Sequence, residues 1–220
     1  MSRLLIAING SPRKNGNTAQ LLQAALDGAR HEGATTELIH LDALSFTGCR
    51  SCFACKRNGS PSYGRCACHD DLTPILSRII DACDALLRGT PIYFGAESGI
   101  FRCFVERLLF PLLRYDRERG TLAPRRFPVA FFYTMNVTAK QLEQFHYRQN
   151  VWMMAACAGR IFGKDTIEQH FACDTLQFND YSRYDAPMFD PDHKRTVHET
   201  QFPRDLENAR LVGQRLARGN

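Results

Sequence analysis

The stretch that most constrains this chain is Gly10-Ser11-Pro12-Arg13-Lys14-Asn15-Gly16-Asn17-Thr18. It follows a short apolar run, Leu4-Leu5-Ile6-Ala7-Ile8, and opens a segment whose apolar residues recur at helical spacing. Strand, polar glycine-bearing loop, helix is the arrangement that aims backbone N–H groups and a helix dipole at one point, which suits a phosphate. Ser11 and Thr18 bring hydroxyls, Arg13 a fork of donors, and Gly16 a backbone that a ligand can approach closely. Asn17 is expected to cap the helix, with Gln20 reaching back in a capping box. The loop is neither Gly-x-Gly-x-x-Gly nor Gly-x4-Gly-Lys-Ser/Thr, so a dinucleotide fingerprint and a P-loop are both disfavoured.

Downstream, the periodicity alternates. A helix is expected from Thr18 to about Gly33, then a strand over Thr35–Leu41. A strand–helix–strand start implies a right-handed crossover and a parallel sheet. A long irregular connection follows, about Asp42 to Asp70, holding Cys49, Cys52, Cys55, Cys66 and Cys68. After a helix ending near Ala82, a third strand is expected over Asp84–Gly89, with Thr90–Gly95 as the turn at its carboxyl end. Ser98 to about Tyr115 reads as a helix apolar over more than one face, which suggests either deep burial or contact with a second subunit, hence a homo-oligomer. Val129–Tyr133 reads as a strand covered on both faces, ended by Thr134-Met135-Asn136. A helix from Thr138 to about Ala158, a fifth strand within Thr166–Phe178, a polar loop over Asn179–Asp192 and one terminal helix complete the chain. That helix is expected to turn Leu206, Ala209, Val212 and Leu216 inward.

Five strands alternating with helices make a doubly wound α/β sheet, whose ligand crevice lies at the carboxyl ends of the first and third strands. Both Gly10–Thr18 and Thr90–Gly95 fall there. At 220 residues the whole chain, 1–220, is one domain with the cysteine loop as an insertion. A net charge of +5 with no clustered basic stripe gives no sign of nucleic acid, and no apolar run reaches membrane-spanning length. The chain enters its first strand without a charged-then-apolar leader, so the expected compartment is the cytoplasm, where clustered cysteines serve metal, cluster or redox chemistry.

Taken together, Gly10–Thr18 and Pro91-Ile92-Tyr93-Phe94-Gly95 resemble the NAD(P)H-dependent FMN reductases of the flavodoxin-like fold. The segment Gly48-Cys49-Arg50-Ser51-Cys52-Phe53-Ala54-Cys55, with Cys66 four residues before Asp70, is similar to their iron–sulfur flavoprotein branch. The resemblance implies a sheet in order 2-1-3-4-5 and FMN as cofactor, with Ser11, Arg13, Gly16, Asn17 and Thr18 at its phosphate. It also implies Pro91, Ile92, Tyr93, Phe94 and Gly95 along the isoalloxazine ring, and the loop carrying Thr134 and Asn136 on the other side. The implied activity is an oxidoreductase taking electrons from NAD(P)H and passing them to a small-molecule acceptor or an iron–sulfur cluster. The alternative is a non-catalytic carrier serving a redox partner protein. Two residues depart from the family's pattern: Arg88 stands where an apolar residue is usual, and Glu97 where small or hydroxyl residues are usual. Each reads either as a salt-bridged or solvated charge or as a changed field around the flavin.

The spacing Cys-x2-Cys-x2-Cys-x10-Cys suits a [4Fe–4S] cluster, tetrahedral zinc or bare thiols. By the resemblance, Cys49, Cys52, Cys55 and Cys66 are the cluster ligands and Cys68 is not. Cys83, Cys103, Cys157 and Cys173 are expected to be small core residues. No histidine stands in a catalytic pattern, and neither Gly-x-Ser-x-Gly nor His-Glu-x-x-His occurs, which fits chemistry carried by a cofactor.

Overall fold

The computed structural model describes residues 2–118, 120–163 and 167–219. Strand β1 (Leu4–Asn9) leads through the first loop into helix α1 (Asn17–His31), and β2 (Thr35–His40) follows. After the cysteine loop come α2 (Leu72–Ala82), β3 (Ala85–Tyr93), the two-residue β4 (Ala96–Glu97) and α3 (Gly99–Leu112). The second half holds β5 (Val129–Thr134), α4 (Ala139–Gln144), α5 (Tyr147–Phe162), β6 (Glu168–Ala172), α6 (Pro191–Thr200) and α7 (Phe202–Arg218). The parallel strands run in the order β2-β1-β3-β5-β6, the flavodoxin-like order, with β4 antiparallel to β3.

Alternate strand residues feed two cores. Ile6, Ile8, Leu86 and Phe131 face α2, α3 and α5; Leu5, Ala7, Leu87 and Phe132 face α1 and α7. Leu206 is partly buried against the second core, and Ala209, Val212 and Leu216 lie within it. Where α1 crosses α7 the backbones touch. A Cβ on Gly213 would lie 1.7 Å from the Ala25 carbonyl oxygen, and one on Gly28 2.0 Å from that of Arg210.

Several expectations are corrected. Strand β3 runs on to Tyr93, because Thr90 and Pro91 pair with Tyr133 and Thr134 of β5. The turn therefore shrinks to Phe94-Gly95, both in the left-handed region (φ 51° and 78°), the form a two-residue hairpin prefers. The helix expected over Thr138–Ala158 breaks at Phe145-His146, where His146 takes φ 56°; its capping box at Thr138 and Gln141 is present. The polar loop after Asn179 ends early, since the Asp190 carboxylate accepts from the Asp192 and His193 N–H groups and starts α6. Of the fifth-strand expectation, Thr166 lies outside the described residues and the strand observed is Glu168–Ala172.

Helix α3 stops at Leu112 as Leu113 turns extended and pairs with Thr121. Its wide apolar arc is covered from within the chain: Phe101, Phe104, Val105, Leu108, Leu109 and Leu112 are all buried. Part of that cover is the cysteine loop, with Phe53 edge-on to Phe110 at 5.9 Å and Lys56 Nζ donating to the Pro111 carbonyl at 3.0 Å. This helix therefore supplies no ground for an oligomer. Cys83 is a core residue, but Cys103 and Cys173 are only partly buried and Cys157 is exposed.

Candidate functional site

At the carboxyl ends of β1, β3 and β5 lies a cavity of about 770 Å³. Its floor is the first loop. The Asn9 side-chain oxygen accepts from Ser11 N at 3.0 Å, and Ser11 Oγ accepts from Arg13 N at 3.2 Å, so successive side chains brace the backbone. Gly10 is held on both sides: its N–H donates to the Gly89 carbonyl at 2.8 Å, and its own carbonyl accepts from Ser98 Oγ at 2.7 Å.

Helix α1 is not capped as expected. Gly16 is the cap residue, no side chain caps the helix, and Asn17 is its first residue. The Asn17 side-chain amide instead donates to the Leu176 carbonyl at 3.0 Å, and Gln20 Nε2 to the Asn15 carbonyl at 3.1 Å. An uncapped helix start lined by Ser11, Gly16, Asn17 and Thr18 leaves first-turn donors and the positive end of the dipole facing the cavity.

One side wall is the β3–β4 hairpin, contributing Pro91, Ile92 and a half-exposed Tyr93 (50%). Phe94 and Gly95 do not join it. Phe94 stands fully exposed at the hairpin tip, and a Cβ on Gly95 would meet Tyr147 and Asn150 of α5 instead. The opposite wall is Thr134, Met135 and Asn136 at the end of β5. Thr134 Oγ1 hydrogen-bonds Thr18 Oγ1 at 2.7 Å, both buried, which ties α1 to β5. Asn136 is held by the buried Lys194, whose Nζ donates to its carbonyl at 3.1 Å and its Oδ1 at 2.6 Å and also pairs with Asp174.

Sequence reasoning missed the remaining wall. Residues 175–180, with Arg183, Tyr184 and His198, complete the cavity. The segment is tied to the floor: Arg13 donates to the Gln177 carbonyl at 2.6 Å, and the Asn136 side-chain amide to Gln177 Oε1 at 2.9 Å. No local pattern announces contacts between residues some 160 positions apart.

Arg88 and Glu97 are neither solvated nor paired with each other. Glu97 is buried, with Oε2 accepting from Arg102 at 2.9 Å. Arg88 is 0% exposed, its guanidinium 4.0 Å above the Phe131 ring, and its three nitrogens have no hydrogen-bond partner among the described residues. Burial pulls the Arg88 pKa down to about 9 and raises that of the Tyr133 phenol.

The cysteine loop forms a separate cavity of about 20 Å³ that shares no lining residue with the large one. Cys49, Cys52, Cys55, Cys66 and Cys68 all line it, beside Glu106 and Arg107 of α3. The buried Arg107 donates to Cys66 Sγ at 3.3 Å and to both Asp70 oxygens at 2.5 and 2.9 Å. It holds the Asp70 carboxyl below the usual carboxylate range. Burial raises the Cys55 and Cys68 thiols. Glu106 lies seven residues into α3, about 10 Å along the helix from its start beside the hairpin, so the thiols do not roof the large cavity.

Residues 4–163 match the NADPH-dependent FMN reductase family. The chain belongs to that family. An iron–sulfur flavoprotein of Methanocaldococcus jannaschii is 36% identical over 103 residues, 47% of this chain and 50% of that one. Another, from Archaeoglobus fulgidus, is 37% identical over 103 residues, 47% of each. The chain thus spans about half the length of these relatives. Among solved structures, an NAD(P)H:quinone oxidoreductase from Methanothermobacter marburgensis superposes with a TM-score of 0.72 at 16% identity, covering 98% of this chain and 100% of that one. An azoreductase from Bacillus anthracis gives 0.66 at 13%, covering 97% and 99%. These two likenesses concern the fold.

The large cavity fits the FMN that gives the FMN reductase family its name. It has an uncapped helix start with hydroxyls for a phosphate and a strand-end wall for a flat ring system. The cysteine cavity fits a cluster in donor type but not in arrangement. Among the described residues no three His, Cys, Asp or Glu side chains are gathered to hold a metal ion. No described helix is long and apolar enough to cross a membrane.

Proposed function

We propose that this chain binds FMN in the large cavity and works as an oxidoreductase, taking electrons from NAD(P)H and delivering them to a small acceptor. The observation that carries the reading is the junction of an uncapped α1 with the β3–β4 hairpin across one cavity. FMN, when bound, would supply the redox chemistry. The protein's part is placement. Ser11, the α1 start and Arg13 hold the phosphate; Ile92 and Tyr93 line the ring on one side and Thr134 and Asn136 on the other. Thr18 fixes Thr134 and Lys194 fixes Asn136, so the β5 side of the site is held in place.

The cysteine loop supports a second electron site. Five cysteines line one small cavity beside Arg107, and the two relatives of 36% and 37% identity are named iron–sulfur flavoproteins. A cluster would be held by Cys49, Cys52, Cys55 and Cys66, which are not gathered as a metal site in this structure. The test is an anaerobic spectrum of FMN-loaded protein mixed with NADPH. Rapid bleaching is expected. Bleaching only by a reduced ferredoxin-like protein would replace the enzyme reading by that of a carrier, and a protein that takes up no FMN would refute both.

A further inference from the structure

The first loop leaves β1 through Asn9, which is completely buried. In the β1–β2 register Asn9 lies beside His40, each the last residue of its strand. Their side chains meet, with Asn9 Nδ2 and His40 Nδ1 3.0 Å apart. The other end of the Asn9 amide fixes the direction of that bond. The Ser11 N–H can only donate, and it stands 3.0 Å from Asn9 Oδ1, so the oxygen must face the loop. Nδ2 then faces His40 as a donor, and Nδ1 has to accept with a lone pair. Only the neutral imidazole with its proton on Nε2 has a lone pair there. A doubly protonated ring would set one donor against another. Asn9 could turn its oxygen to that ring only by presenting Nδ2 to the Ser11 N–H, so a buried donor goes unpaired either way.

The surroundings act in the same sense. Partial burial, and then Lys14 of the first loop, disfavour the charged form of His40. On this face of β2, where Leu38 packs against the α1 core, α1 carries no charged side chain before Asp27. In the turn after β2, Asp42 is the first carboxylate and is exposed. We propose that His40 is a positioning residue for FMN: as the neutral Nε2–H tautomer it fixes the Asn9 amide, and through Asn9 the Ser11 turn of the first loop. The proposal rests on the FMN reading only for what that loop holds. Protonation of His40 should loosen the loop and weaken cofactor binding on the acid side. The flavin phosphate, an anion, would by itself favour a charged His40 through space, so the direction of the effect is diagnostic.

Nitrogen-15 spectra of the full chain without FMN test the tautomer. Near neutral pH the His40 ring should carry its proton on Nε2, with Nδ1 unprotonated. On acidification the Ser11 amide resonance should move with the same midpoint as the His40 ring, and that movement should vanish in His40→Gln. FMN titration followed by fluorescence then separates positioning from packing. His40→Leu keeps bulk but loses the acceptor, and should weaken FMN binding about tenfold at neutral pH. His40→Gln restores an accepting oxygen and should recover the affinity to within about threefold. Between neutral pH and pH about 5 the parent should lose at least about threefold more affinity than His40→Gln, the phosphate's own titration being common to both. A proton on Nδ1, a Ser11 amide indifferent to the His40 titration, or a parent that holds FMN in acid as well as or better than His40→Gln overturns the proposal. Failure of the parent to bind FMN refutes the function instead, and the nitrogen-15 spectra then decide the His40–Asn9–Ser11 chain by themselves.

Discussion

Replacing Arg88 by methionine should make this protein more stable. The guanidinium sits on β3 between Ile8 of β1 and Phe131 of β5, 0% exposed, with Nε and both terminal nitrogens unpartnered among the described residues. Withdrawing such a cation from water costs several kcal/mol. The ring of Phe131 at 4.0 Å returns about 2 kcal/mol. Glu97 returns a further part through space, raising the Arg88 pKa although its Oε2 is committed to Arg102. Methionine is of similar length, keeps the packing and removes the desolvated charge, so Arg88→Met should gain about 1–2 kcal/mol after the lost ring contact is subtracted. For a domain of this size that is roughly 2–8 °C in Tm. Urea unfolding of the apoprotein followed by circular dichroism measures it. The pH dependence gives an independent check. With the folded-state pKa near 9 and the unfolded one above 12, the native state binds fewer protons between them, so the cost of Arg88 is present at neutral pH and falls as pH rises past about 9. The advantage of Arg88→Met should therefore narrow above pH 9. A variant less stable than the parent by more than about 1 kcal/mol would show that the guanidinium is hydrogen-bonded in solution and refute the reasoning.

Arg13→Ala combined with Thr18→Ala should weaken FMN binding at least tenfold by fluorescence titration, each charge-assisted bond being worth about 1.5–3 kcal/mol; unchanged affinity would move the phosphate elsewhere. Gly213→Ala places a Cβ 1.7 Å from the Ala25 carbonyl oxygen and must part α1 from α7, so the unfolding free energy from urea titration should fall by about 1–3 kcal/mol, and a neutral result would contradict the crossing. Arg107→Gln should cost stability at pH 7, and less as pH falls. The pair with Asp70 contributes fully above the ordinary aspartate pKa near 4 and is lost as pH drops through the lowered one. An equal cost at pH 7 and pH 3 would argue against that pairing. After anaerobic reconstitution, iron should persist in Cys68→Ser and be lost in Cys66→Ser; the reverse exchanges the fourth ligand, and iron in neither protein leaves the loop as thiols.

What was legible from the residues was whatever repeats locally. The apolar runs at Leu4–Ile8 and Val129–Tyr133 mark buried strands, and the Gly10–Thr18 loop sits at the crevice that alternation implies. Errors arose where tertiary pairing overrode local signals. Thr90 and Pro91 look like a turn yet complete β3, because β5 offers them partners. Phe145-His146 shows no breaker, and the helix divides there through a left-handed residue that periodicity cannot reveal. Asp190-Pro191 was a legible start for α6, overlooked because the surrounding polarity suggested a loop. The burial of Arg88 and the wall at 175–184 follow from packing, not from any spacing in the chain.

The ties between the first loop and Leu176 and Gln177 bear on how the protein is made. At about 5–20 residues per second, the ribosome needs roughly 8–33 s to extend the chain across the 164 positions between Arg13 and Gln177. Throughout that interval the nascent chain offers the first loop with no far wall, and for most of it no Thr134 either. Cofactor cannot template the early sheet. It rewards only the finished polypeptide, so flavin supply should govern how long completed molecules survive rather than how many fold.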